Sequence, residues 1–311
     1  MGSKEILQKV AGILEINFPN INEIGLLNGK MGLVLFFYHY GKYSNDKRYV
    51  NIADELLDSV LDSAVIEELD LSFDKGVAGV IWGIRYLINF KFIDCVDNEI
   101  FPEIEDLLFK KNIIDCSSKT SISTLGMYLY SVIKKSDNID RYHNPIMLIL
   151  NKYEYYFLCL SIKPKSINYI NSALSFLSIL QMQPKYKIHT ERIIFKITLY
   201  LSTLKTLEVF ELCDLKILYK LLKSINSSLQ EKLDILDKIE IVCNGEYNSL
   251  SPHNFWKKFI FLPEEILCLD IEEIDNYIDK NCMFVSNSST LSVYGELASI
   301  GLVLMDAHKK D

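Results

Sequence analysis

Seven cysteines are the most reactive side chains in this 311-residue chain, and their spacing matches no redox or structural-metal motif. They stand at positions 95, 116, 159, 213, 243, 268 and 282, with no Cys-x-x-Cys pair among them. Their number is odd, and most of them fall in apolar segments of helical period. We therefore expect reduced thiols that pack mainly as small hydrophobic side chains.

Paired carboxylates would suit glycoside chemistry, which needs an acid and a base about 5 to 9.5 Å apart. Most acidic residues fall in amphipathic segments or their connections, such as 67–70 and 270–275. Glu246 and Glu296 instead stand near the predicted starts of apolar helices, where both could face the same end of a bundle. A carbohydrate-active enzyme therefore stays open as an alternative. The sequence has no phosphate-binding glycine loop and no serine nucleophile elbow.

Charge and hydropathy exclude two further classes of protein. The net charge is -8, and the 33 basic residues are scattered instead of forming the stripe that a nucleic-acid backbone selects. No segment offers 18 uncharged apolar residues, and the first residues lack the pattern of a secretory signal. We expect a cytoplasmic protein with no transmembrane segment and no nucleic-acid partner.

The elements that must position these side chains are helices. Apolar residues recur at helical spacing through most of the chain, as in 52–61, and long strand-like alternation is missing. Glycine pairs open two apolar segments, Gly29 with Gly32 and Gly76 with Gly79, at a spacing of 47 residues. This spacing predicts an internal repeat. The predicted starts of the apolar helices are Gly29, Gly76, Ser123, Ser172, a position near Asp214, Gly245 and Gly295.

Between these starts, the sequence predicts seven amphipathic helices that carry more charge than the apolar ones. They cover about 3–17, 46–64, 97–111, 140–159, 187–203, 226–242 and 263–281. A helix that is apolar nearly all round must be covered by protein, whereas an amphipathic helix can lie outside. A closed ring of inner and outer helices satisfies both sets. We therefore predict an all-α fold, an α/α toroid of about seven helical hairpins that forms one domain over 1–311, with the glycines where chains converge.

Three segments resemble a known family. The sequences "GLLNGKMGLVLFFYHY" from 25, "KGVAGVIWGIRYLI" from 75 and "GELASIGLVL" from 295 are similar to inner-helix starts of the lanthionine synthetase C-like proteins. The resemblance implies a seven-fold α/α toroid. It also implies zinc, which in this family activates peptide thiols for addition to dehydroalanine or dehydrobutyrine. The expected motifs are a catalytic His-Gly in the fourth unit, Trp-Cys-x-Gly in the fifth and Cys-His-Gly in the sixth.

The chain departs from each motif that the resemblance implies. Asn171 stands at the position of the catalytic histidine, and Asn244 replaces the histidine between Cys243 and Gly245. Cys213 lies within one residue of the expected fifth-unit cysteine, without the tryptophan or glycine. A carboxamide is a poor zinc ligand and carries no proton at neutral pH.

Two cysteines fall short of the three protein ligands of a catalytic zinc. His253 is the best replacement by position, and Asp214 could add an oxygen ligand. The candidate metal ligands are thus Cys213, Cys243 and His253, although we expect no zinc to be bound and no other cofactor. Asp214, Asn244, Glu246 and Glu296 are candidate substrate-binding residues at the mouth of the ring.

The resemblance and the departures together imply a degenerate member of the family, a candidate pseudoenzyme. We expect a role in ribosomal peptide modification, in which the protein binds a precursor peptide, a modification enzyme or an exporter. The alternative is an active zinc-dependent cyclase with a rearranged ligand set. Inner-helix aromatics and His39, after the run "FFYHY", are expected to be packed and not catalytic.

Overall fold

The computed structural model describes residues 2–27, 29–64, 72–94, 119–133, 139–158, 167–204, 207, 210–225, 230–245, 255–261, 270–282 and 291–308. These ranges contain thirteen α-helices, two short 3-10 turns and no strand, so the all-α prediction is confirmed for them. The helices are α1 Ser3–Asn17, α2 Lys30–Ser44, α3 Lys47–Ala64, α4 Val77–Asn89, α5 Lys119–Ile133, α6 His143–Leu158, α7 Ile167–Leu180, α8 Lys187–Ser202, α9 Leu212–Ser224, α10 Gln230–Gly245, α11 Phe255–Phe261, α12 Ile271–Cys282 and α13 Leu291–His308.

Helices that are buried nearly all round alternate with helices that keep a solvent face. In α2, every residue from Met31 to Gly41 is buried. The following helix, α3, buries only the face that carries Ala53, Leu56 and Val60. Helices α7 and α8 show the same contrast. A helix with apolar residues on every face must be covered by neighbouring helices. The predicted outer helix at 97–111 lies outside the described residues.

The chain divides into two compact units, Met1–Ile100 with Asn248–Asp311, and Phe101–Tyr247. In the first unit, α2 packs against α3, α4 and α13, and α13 also packs against α1 and α11. In the second unit, α7 packs against α5 and α9, while α8 packs against α6 and α10. The single domain over 1–311 stays a prediction.

The glycines near α2 and α4 are required by close approach, not by an unusual backbone conformation. Gly29 caps α2 with an extended backbone that any residue adopts. A Cβ at Gly29 would lie 2.6 Å from the carbonyl oxygen of Glu23, and one at Gly79 would lie 2.8 Å from Leu26 Cβ. The turns before α2 and α4 also meet, since the Leu27 amide donates to the Asp74 carbonyl at 2.9 Å. Convergence of the chain at these two helix starts is thus confirmed.

Several predicted helix starts are wrong. Helix α5 begins at Lys119 and not at Ser123, helix α7 begins at Ile167 and not at Ser172, and Gly295 is the fifth residue of α13. Gly245 is the last residue of α10, whereas it was expected to begin the sixth apolar helix; the short helix α11 begins at Phe255. A glycine is as compatible with the end of a helix as with its start, so its position alone does not set the boundary.

Candidate functional site

Several predicted site residues lie in the unit Phe101–Tyr247. Asn171 is in the first half of α7, Cys213 and Asp214 are in the first turn of α9, and Cys243 is in the last turn of α10. Helices α9 and α10 pack against each other, and the Lys232 Nζ near the start of α10 donates to the Ile225 carbonyl oxygen just after α9. The start of α9 and the end of α10 therefore lie at the same end of this pair. Cys243 thus lies near the end of an amphipathic helix, whereas the prediction places it beside the start of an apolar one.

Asn171 ties two helices together. Its side chain is 2% exposed, and its Nδ2 donates a hydrogen bond to the backbone carbonyl oxygen of Asp214 at 3.0 Å. Asp214 is itself buried. The Asn171 Oδ1 contacts no hydrogen-bond donor in the described part of the chain. A carboxamide with this bond holds α7 against α9, and it cannot accept and release a proton as an imidazole does.

Cys213 and Cys243 stand in different surroundings. Cys213 is buried at the start of α9, whereas Cys243 is partly exposed at the end of α10. Asn244 and Gly245 follow Cys243 as the last two residues of that helix. His253 and Glu246, the proposed replacement ligand and a candidate substrate contact, lie outside the described residues.

The described donor set does not fit a catalytic zinc. Over the described ranges, no three histidine, cysteine, aspartate or glutamate side chains group closely enough to hold a metal ion. At the position of the expected zinc histidine, Asn244 offers only a carboxamide, which is a poor zinc ligand.

Glu296 belongs to the other unit, on α13, where it is partly exposed. Next to it, the Gly295 carbonyl oxygen accepts a hydrogen bond from the buried Trp256 indole nitrogen at 2.9 Å. The Trp256 ring also faces Gly32, where an added Cβ would lie 3.0 Å from the ring. Gly32 thus leaves room for the tryptophan ring, whereas the contact at Gly295 uses a backbone carbonyl that any residue could supply.

His39 forms a pair that the sequence argument missed. It is 8% exposed, its Nε2 lies 2.9 Å from the Tyr86 hydroxyl oxygen, and the rings of Phe92 and Phe259 pack against it. Burial raises the pKa of Tyr86, and the charge of Asp306 adds to that rise. The phenol is therefore neutral at physiological pH, and the prediction that His39 is packed is confirmed.

The period of the internal repeat could have predicted the contact between His39 and Tyr86. His39 and Tyr86 are 47 residues apart, which is the spacing between the glycine pairs of α2 and α4. Residues one period apart occupy equivalent places on neighbouring helices.

Comparison with known proteins gives no relative: no family model, curated protein or solved structure matches this chain. Among the described helices, none is both long and apolar enough to cross a membrane.

Proposed function

We propose that this chain is a divergent lanthionine synthetase C-like protein that forms an α/α toroid and acts in ribosomal peptide modification. In this proposal it binds a precursor peptide or a partner of the modification machinery at the end where the inner helices begin. It does not itself close thioether rings, because its fourth-unit residue is Asn171 instead of a histidine.

The order of helix neighbours supports the toroid. In one unit, the buried helices α5, α7 and α9 contact one another in chain order, and the amphipathic helices α6, α8 and α10 do the same. In the other unit, the buried helices α11, α13, α2 and α4 also form a continuous series. Consecutive contacts within an inner and an outer series are what an α/α ring requires.

The hydrogen bond of Asn171 carries the proposal of an inactive site. A thiol that adds to a dehydrated residue leaves an enolate, and a nearby acid must return a proton to it. Asn171 has no proton to give at neutral pH, and its amide already donates to the Asp214 carbonyl oxygen. This position therefore supports helix packing in place of proton transfer.

The first experiment measures zinc in the purified, chelator-rinsed protein by elemental analysis. We expect well below one zinc per chain in the wild type, in Cys243→Ala and in the control Cys116→Ala. Cys116 is a suitable control because it is not a candidate ligand. About one zinc per chain that is lost only in Cys243→Ala would contradict the proposal and favour the active cyclase.

The second experiment tests cyclisation and binding with a dehydrated, cysteine-containing peptide. We expect the wild type to bind a fluorescently labelled peptide without forming thioethers, which mass spectrometry after thiol alkylation detects. Asn171→His combined with Asn244→His is expected to recover some cyclisation in the presence of zinc, and each single variant is not. Efficient cyclisation by the wild type would refute the proposal.

A further inference from the structure

We draw no further inference here: the strongest candidate, the surface patch formed by the stacked and partly exposed rings of Trp82, Tyr86 and Phe90 along α4, carries nothing because nothing in the structure shows what covers it.

Discussion

Gly79→Ala is the sharpest test of the packing between the turns that precede α2 and α4. Gly79 is the third residue of α4, where an alanine Cβ would overlap the carbonyl oxygen of Phe73 and lie 2.8 Å from Leu26 Cβ. The turn at 72–76 cannot move away without loss, because the Asp74 carbonyl accepts the Leu27 amide at 2.9 Å. Either the helix or this turn must shift.

The magnitude follows from two opposed effects. Alanine favours a helix by about 1 kcal/mol over glycine. Overpacking against backbone costs about 1 to 3 kcal/mol, and loss of the turn hydrogen bond adds about 1 kcal/mol. We therefore expect Gly79→Ala to lower the free energy of unfolding by about 1 to 3 kcal/mol, which lowers Tm by several degrees, at about 2 to 4 °C per kcal/mol.

Gly12→Ala in α1 is the matched control, because no atom lies within 4 Å of a Cβ placed there. It should raise the free energy of unfolding by about 0.5 to 1 kcal/mol through helix propensity alone. Thermal unfolding of both variants by far-UV circular dichroism gives the comparison. If the two substitutions shift Tm in the same direction by the same amount, close approach is not the reason for glycine at position 79.

Three further predictions concern the unit Phe101–Tyr247. Gly126→Ala places a Cβ 2.5 Å from the Tyr153 hydroxyl oxygen and should destabilise the protein by about 1 to 3 kcal/mol. Tyr153→Phe removes that oxygen and should recover most of the loss, as a double-mutant cycle measured by urea unfolding would show. Burial alone would raise the pKa of Glu154, but hydrogen bonds and charges from basic side chains on α8 lower it. The ionised Glu154 therefore stabilises the folded protein fully above its ordinary pKa of about 4.3. This stabilisation is lost as pH falls through the lowered pKa. Glu154→Gln should therefore cost up to about 1 kcal/mol near pH 7 and nothing in strong acid, by urea midpoints at each pH; an unchanged difference in acid would contradict this. Asn171→Asp should destabilise the protein by about 2 kcal/mol or more at neutral pH, because a buried carboxylate would face the Asp214 carbonyl oxygen. A loss below about 0.5 kcal/mol would show that the bond from Asn171 to Asp214 does not hold α7 against α9.

The sequence by itself determined the helical class and the alternation of buried and amphipathic helices. Both depend on the period of apolar residues along the chain, which is a local property. The same holds for Gly29 and Gly76, each of which caps a helix as its position before an apolar segment predicts. Gly245 shows the limit of such local signals, because a glycine is compatible with either end of a helix, and here it is the last residue of α10.

Tertiary structure decided which side chains meet and which face solvent. Helix α8 has apolar residues on more than one face, so its sequence does not reveal that Ile193 and Ile197 are buried while Phe195 and Leu199 are exposed. The bond from Asn171 to Asp214 likewise joins residues 43 positions apart, which only the packing of α7 on α9 brings together. Contacts between distant segments depend on the position of every helix in the bundle, and no short stretch of sequence contains that information.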